Sequence, residues 1–227
     1  MKLLAVDTAT SSCSVALFND EQLTAEVLYT AGPTHSRRLL AIIDRILKDG
    51  GYRPTDIDRI AATRGPGTFT GLRIGLSTVK GLAAAIGAPV VGVSSLAALA
   101  FPLRLLERPV AAMIDARRGE VYHVLYRTGA VLTEADPPVK VSPPEVAAAS
   151  LPADAVLVGS GAVIYRTVFE SRCPGIRFAD SAQHVIRAAS VGLLAMARFG
   201  RDDVDAVESL NPDYIRPSDA QIQMRGT

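Results

Sequence analysis

Short apolar runs separated by turn residues dominate the first half of the chain, with helical periodicity in between. The apolar runs predict five strands, at residues 2–7, 13–18, 22–30, 59–63 and 90–93. The helical spacing predicts helices over about 34–48 and 70–86 and a short helix from Ser94. Three strands followed by alternating helices and strands indicate a mixed sheet covered by helices.

The second half repeats this order of elements. Its predicted strands lie at residues 110–114, 121–126, 130–133, 155–158 and 176–178. Its predicted helices are a short one opened by the capping-box pattern Ser142-Pro-Pro-Glu145, one from Gly161 to about 171, and one over 181–199. The repetition predicts a pseudo-symmetric α/β duplication. Its boundary is expected near Pro102–Pro109, giving domains 1–104 and 105–227.

Residues 81–103 carry no charge over a length that could cross a bilayer. Gly87-Ala-Pro89 interrupts this stretch, and Gly92 and Ser94-Ser95 follow. We therefore interpret it as a helix end, a buried strand and the start of another helix, with no membrane span.

Composition and charge narrow the function classes. The net charge is +1 and 48% of residues are hydrophobic, so nothing global favours nucleic-acid or membrane binding. Cys13 and Cys173 lack the spacing of a zinc site, and the apolar run before Asp7 is too short for a signal peptide. These features predict a cytoplasmic protein without disulfides.

Asp7 and Thr8 end the first predicted strand, where open α/β sheets tend to bind ligands. They could hold a metal-bound water or contact a phosphate. Alternatively, Asp7 and the hydroxyls that follow it satisfy the backbone of a turn. Both interpretations remain open at this stage, as they do for Gly159 and Gly161, which follow a strand and suit either a nucleotide or a tight turn.

The segment Gly65-Pro-Gly-Thr-Phe-Thr-Gly71 opens the second predicted helix. It lacks the Lys-Ser/Thr of a Walker A loop. Its amides could receive an anion, but Gly67, Gly71 and Gly75 also form a stripe at four-residue spacing. Because interior glycines weaken a helix, we favour close packing against another helix.

No catalytic constellation is visible. The histidines, His35, His123 and His184, form no metal-binding or triad spacing. The helix at 34–48 is apolar over more than half of its circumference, at Leu39, Leu40, Ile42, Ile43, Ile46 and Leu47. A helix of this kind needs two burial partners, which indicates an interface.

Several of these motifs together resemble the TsaB family, also called YeaZ. They are Asp7-Thr-Ala-Thr, His35-Ser with its Leu-Leu helix, Arg64-Gly-Pro-Gly-Thr-Phe-Thr-Gly-Leu-Arg, Asp115-Ala-Arg-Arg-Gly-Glu-Val-Tyr and Asn211-Pro-Asp-Tyr-Ile-Arg216. The resemblance covers the whole chain. It implies the duplicated actin/Hsp70/sugar-kinase (RNase H-like) fold and a role in making N6-threonylcarbamoyladenosine at position 37 of tRNAs that read ANN codons.

The resemblance also bears on catalysis. The catalytic relative, TsaD, carries an HxxxH metal motif after the strand that follows the Gly-rich helix. Aligned on Val90–Val93, its ligand positions fall on Ser95 and Leu99, and neither suits iron or zinc. The resemblance therefore implies a platform subunit with no catalytic or metal residues. Asp7, Thr8, Gly159 and Gly161 would be at most a vestigial nucleotide site.

The family implies a set of partners. TsaD would bind directly, and TsaE and tRNA through the complex. The chain alone would form a homodimer and bind no cofactor, with ATP or ADP entering only in the assembled complex. The expected partner interface comprises His35, Leu39, Ile43, Gly67, Thr70, Gly71, Ile74 and Gly75.

Two alternatives of other classes remain. A small-molecule kinase or ATPase needs a general base and phosphate loops in both halves, and a metallopeptidase needs metal ligands. The sequence disfavours both.

Overall fold

The first half of the chain folds around a five-stranded mixed sheet. The structure is a computed structural model that describes residues 1–30, 35–127 and 137–215, and only the backbone of residues 35–37. The strands are β1 (Lys2–Asp7), β2 (Cys13–Asn19), β3 (Gln22–Tyr29), β4 (Arg59–Gly65) and β5 (Val90–Ser94). Their order is β3-β2-β1-β4-β5, with β1–β3 antiparallel and β4 and β5 parallel to β1.

Three helices accompany this sheet. They are α1 (His35–Asp49), α2 (Phe69–Ile86) and α3 (Ser95–Ala100). Helix α2 begins at a threonine cap, because Thr68 Oγ1 accepts a hydrogen bond from the Gly71 amide at 3.2 Å. It ends at Gly87, whose φ of 70° places it in the left-handed conformation that glycine adopts without strain.

The second half repeats the same topology. Its strands are β6 (Val110–Arg117), β7 (Glu120–Tyr126), β8 (Lys140–Ser142), β9 (Val156–Val158) and β10 (Arg177–Phe178). Its helices are α4 (Pro144–Ala149), α5 (Ser160–Ile164), α6 (Arg166–Arg172) and α7 (Ala188–Phe199). The strand order β8-β7-β6-β9-β10 matches that of the first sheet strand for strand. The predicted duplication is confirmed.

The two sheets share a central layer of helices. Helix α3 packs between the halves, and α7 lies across β1, β2, β4 and β5 of the first sheet. Helices α1 and α2 cover the opposite face of the first sheet, and α4, α5 and α6 cover that of the second. The linker at Pro102–Pro109 separates the two sheets, but the chain crosses back at α7, so the final helix completes the core of the first half.

The first sheet caps the N-terminus of α7. Ser14 Oγ accepts a hydrogen bond from the Ala188 amide at 3.0 Å, and the Glu26 carboxylate accepts one from the Ala189 amide at 2.9 Å. Arg187 forms an ion pair with the same Glu26 carboxylate. These contacts satisfy amides that a helix end leaves without intrahelical partners, and they fix α7 to the first half.

Local differences from the sequence predictions occur in the second half. The third strand lies at 140–142, whereas the predicted strand at 130–133 is outside the described residues. The helix predicted over 161–171 divides at Tyr165. The final helix begins at Ala188 after a short 3₁₀ turn at Ser181–Gln183, not at residue 181.

The predicted capping box at Ser142-Pro-Pro-Glu145 does not form. Pro143 occupies the cap position of α4 and has no side-chain group to accept a hydrogen bond, so the box cannot form.

The uncharged stretch at 81–103 forms the end of α2, strand β5 and α3, as its glycine and proline positions predicted. Among the described residues, no helix is both long and apolar enough to cross a membrane.

Candidate functional site

Asp7 ends β1 and lies completely inside the protein. Its Oδ1 accepts hydrogen bonds from Thr63 Oγ1 at 2.8 Å and from the Ala9 amide at 3.1 Å, whereas its Oδ2 has no hydrogen-bond partner. Burial raises the pKa of the Asp7 carboxyl to about 7, although the two hydrogen bonds oppose this shift. Asp7 thus supports the turn that follows β1, and its carboxyl titrates near neutral pH.

The glycine stripe of α2 faces the β1–β2 turn, which comprises residues 8–12. A Cβ atom on Gly67 would overlap the carbonyl oxygen of Ala9, and one on Gly71 would overlap that of Thr8. Thr8 Oγ1 donates a hydrogen bond to the Gly71 carbonyl at 2.7 Å. A Cβ atom on Gly75 would overlap Thr8 Oγ1. Close packing explains the stripe, but the partner is this turn of the same chain, so the expected helix partner was wrong.

These contacts also bear on the predicted nucleotide site. Thr8 is only 1% exposed, and its hydroxyl and carbonyl both contact α2. Asp7 and Thr8 are thus engaged in contacts within the chain, which the turn interpretation explains, and a nucleotide site at these residues stays a prediction.

The two glycines of the predicted nucleotide site also make contacts within the chain. Gly159 has a φ of 109°, and a Cβ atom on it would overlap the Met113 carbonyl oxygen. Its amide donates a hydrogen bond to His184 Nδ1 at 3.0 Å. A Cβ atom on Gly161 would lie 3.0 Å from Val121 Cγ1. The tight-turn interpretation accounts for both glycines, and nucleotide binding in the assembled complex stays a prediction.

The charged turn at the start of the second half makes its own internal contacts. Asp115 Oδ1 accepts hydrogen bonds from the Arg117 amide at 3.0 Å and from the Tyr165 hydroxyl at 3.3 Å. Arg117 and Arg118, which precede Gly119, both have a left-handed backbone conformation, with φ of 62° and 54°. Asp115 therefore stabilises a strained hairpin, as an Asx-type acceptor does.

The two positions at which the resemblance places the metal ligands of TsaD lie in α3. Ser95 and Leu99 are 0% and 2% exposed, and Leu99 packs close to Gly159. The Ser95 hydroxyl has no hydrogen-bond partner. In the described ranges, no cluster of three or more His, Cys, Asp or Glu side chains could hold a metal ion. His123 and His184 are used elsewhere, on Ser142 Oγ at 3.0 Å and on the Gly159 amide.

The predicted interface residues divide into buried and exposed groups. Leu39, Ile43, Gly71 and Gly75 are buried within the chain, Gly67 and Ile74 are half-buried, and Thr70 is exposed. The side chain of His35 is outside the described residues. Of the six apolar positions in α1, Leu40 alone is exposed, at 64%, and the other five lie in the core that α1 shares with the first sheet and α2. The second burial partner of α1 is therefore α2 of the same chain, so the breadth of its apolar side does not require an interface. Whether these helices form the interface stays a prediction.

Two structural features near α1 and α2 could not be identified from the sequence. A groove of about 440 Å³ lies between β3 and α1, lined by Val27, Tyr29, Arg38, Ala41, Ile42 and Arg45. The second feature is the C-terminal strap, residues Asp205–Ile215, which runs along β5 and reaches the start of α2. The Asn-Pro-Asp-Tyr motif was noted in the sequence, but nothing local indicated that it contacts α2.

The doubled sheet topology and the central helices α3 and α7 define the class of duplicated actin-like α/β proteins. The ethanolamine utilization protein EutJ from Carboxydothermus hydrogenoformans shares this fold, with a TM-score of 0.52 at 13% identity over 86% of this chain and 90% of that one. Within the class, the sequence model of TsaD, tRNA N6-adenosine threonylcarbamoyltransferase, matches residues 29–224.

Curated relatives narrow the family further. The tRNA threonylcarbamoyladenosine biosynthesis protein TsaB of Escherichia coli is 33% identical, over 100% of this chain and 99% of that protein. TsaB of Bacillus subtilis is 29% identical over 98% and 97%. The structure of YeaZ from Pseudomonas aeruginosa has a TM-score of 0.80 at 33% identity, over 94% of this chain and 99% of that one. The chain belongs to the TsaB (YeaZ) family.

Proposed function

We propose that this chain is a non-catalytic platform subunit that pairs with TsaD and activates threonylcarbamoyl transfer to N6 of adenosine 37 in tRNAs reading ANN codons. Full-length similarity to proteins named for threonylcarbamoyladenosine biosynthesis supports the pathway. The observation that carries the non-catalytic role is the interior position of Ser95 and Leu99 in α3.

The chemistry at α3 supports this role. A leucine side chain cannot bind a metal, and a serine hydroxyl is a poor ligand for the iron or zinc that imidazole suits. Both side chains are buried in the core shared by the two sheets, so neither position faces a surface that a substrate could reach. A metal-assisted transfer centre at this position would require the core to be rebuilt.

The exposed sides of α1 and α2 are the proposed partner surface. On α2 this side presents Thr70, Ser77 and Gly81, three small residues that permit close approach of another helix. On α1 it presents Leu40, a large apolar side chain that gains by burial. In the absence of TsaD, the same surface would join two copies of this chain about a two-fold axis.

The remaining partners follow from this role. TsaE and tRNA would associate through the complex, and ATP or ADP would bind only in the assembly, which would operate in the cytoplasm. Since the net charge of the chain is +1, the chain alone should bind tRNA weakly.

A kinase or ATPase and a metallopeptidase are the alternatives. The first needs phosphate loops in both halves, whereas Asp7, Thr8 and Gly159 make contacts within the chain that a turn explains. The second needs metal ligands in place of Ser95 and Leu99.

Three assays on the purified chain separate these functions. Binding to TsaD should be measured by calorimetry, together with ATP hydrolysis and peptide hydrolysis. We expect TsaD binding without either hydrolytic activity. Turnover of ATP or peptide by the chain alone, abolished by Asp7→Asn, would assign an enzymatic function instead.

A further inference from the structure

The C-terminal strap closes the open edge of the first sheet. The Asp205 amide donates a hydrogen bond at 2.9 Å to the carbonyl of Val90, the first residue of the edge strand β5. Leu210 is buried in the core beneath α2. Lys80 of α2 donates hydrogen bonds from Nζ to the carbonyls of Glu208 at 3.0 Å and Leu210 at 3.3 Å. The first part of the strap therefore has a structural role.

The strap then contacts the end of β4. The Asp213 amide donates a hydrogen bond to the Arg64 carbonyl at 2.7 Å, and Arg64 Nε forms an ion pair with Asp213 Oδ2 at 2.9 Å. A Cβ atom on Gly65 would lie 2.9 Å from the Asp213 carbonyl oxygen. Backbone and side chain thus fix the strap at the position where β4 leads into α2.

Tyr214 makes the final contacts, on the outer side of α2. Its ring stacks on Phe69, with centroids 5.1 Å apart and planes inclined by 27°. Its hydroxyl accepts a hydrogen bond from Arg73 Nε at 2.8 Å. The Arg73 guanidinium carbon lies 3.7 Å from the centre of the Phe69 ring. Tyr214 therefore fixes two side chains one helical turn apart on α2.

The contacts of Tyr214 with Phe69 and Arg73 lie at the surface, where they contribute little to the stability of the fold. Tyr214 remains 42% exposed and Arg73 is exposed, and cation–π pairs at exposed sites contribute only about 0.5–1 kcal/mol. The start of α2 is already fixed by the Thr68 cap and the β1–β2 turn. What Tyr214 adds is a single orientation for the half-buried Phe69 and the exposed Arg73, which form one row beside Thr70 in the first turns of the helix.

We propose that Tyr214 is a positioning residue for partner binding, which orients Phe69 and Arg73 so that the first turns of α2 present a fixed surface to TsaD. The inference rests on the proposed function. A preorganised surface loses less side-chain entropy on association, so removal of Tyr214 weakens pairing without changing the fold.

The test compares Tyr214→Ala and Tyr214→Phe with Leu210→Ala, a control in the same strap that removes buried core contacts. Affinity for TsaD is measured by calorimetry and thermal stability by circular dichroism. We expect Tyr214→Ala to weaken pairing about fivefold, equivalent to about 1 kcal/mol. Tyr214→Phe keeps the ring and should lose less affinity. Leu210→Ala should lose more thermal stability but keep its affinity within about twofold of the unaltered chain.

Side-chain NMR on the isolated chain separates this proposal from the proposed function. Tyr214→Ala should increase the motion of the Phe69 ring and of the Arg73 guanidinium, whereas Leu210→Ala should not do so selectively. Unchanged pairing by Tyr214→Ala, or pairing losses that follow thermal stability in all variants, would overturn the positioning role. If the unaltered chain does not bind TsaD, the proposed function fails, and side-chain NMR still decides whether Tyr214 orients Phe69 and Arg73.

Discussion

At the scale of single residues, the β1–β2 turn and α2 fit without space for added atoms. A methyl group at Gly71 would overlap the Thr8 carbonyl oxygen, whereas one at Gly81 would meet nothing within 4 Å. We expect Gly71→Ala to lower the free energy of unfolding by about 2 kcal/mol or more, because a backbone atom must move.

Gly81→Ala is the matched control on the same helix. It should raise the free energy of unfolding by up to about 1 kcal/mol, since alanine favours the helical backbone. Urea unfolding of both variants measures the difference. Equal effects would show that the turn does not pack on α2 as described.

The buried carboxyl of Asp7 predicts a pH dependence. Its pKa is about 7 in the folded chain and 3.8 as a model value, so between these pH values the folded state holds a proton that the unfolded state has released. Its contribution to stability is therefore complete at low pH and is lost as the pH rises toward 7, at a slope of up to about 1.4 kcal/mol per pH unit.

Asp7→Asn removes this titration while keeping the shape of the side chain. The stability of the variant relative to the unaltered chain should rise from pH 5 to pH 7 and then level off, as measured by urea unfolding at each pH. A constant difference over this range would show that Asp7 does not titrate near neutrality.

At the scale of elements, the partner surface can be tested at α2 without disturbing its packing. Gly75→Arg is unsuitable because Gly75 contacts Thr8 inside the chain. Ser77 is exposed on the same helix. Ser77→Arg should leave the fold intact and block pairing with TsaD and with a second copy, because a long charged side chain would be buried without a partner.

Val163→Arg, on the exposed side of α5, is the control and should pair normally. Sizing with circular dichroism distinguishes lost pairing from lost folding. Normal pairing by a folded Ser77→Arg variant would place the interface elsewhere.

Most elements follow from the sequence because their signals are local. The apolar runs and glycine stops predicted β1, β2, β4, β5 and α2 to within a few residues. The start of the final helix, predicted at residue 181, lies at Ala188 because Ser14 and Glu26, which are distant in sequence, cap the helix there. The glycine stripe of α2 predicted close packing, but the spacing of its glycines does not indicate which element packs against it.

At the scale of the whole molecule, the repeated order of elements predicted the duplication, and the two matching sheets confirm it. The return of α7 to the first sheet could not be predicted, because the apolar side of this helix suits either sheet. The path of the strap depends likewise on contacts between residues far apart, such as Arg73 and Tyr214. Asp7 and Gly159 could be identified as special positions, but their contacts with Thr63 and with the Met113 carbonyl depend on residues far away in the sequence.

The platform role is tested most directly by reconstituted transfer. TsaD, TsaE, ATP, threonylcarbamoyl-adenylate as the donor of the transferred group, and an ANN-decoding tRNA are combined with and without this chain, with its Ser77→Arg variant, and with the chain in place of TsaD. We expect modified adenosine only when TsaD and the unaltered chain are both present, and little with the variant. Modification by this chain without TsaD, or full activity of TsaD without this chain, would contradict it.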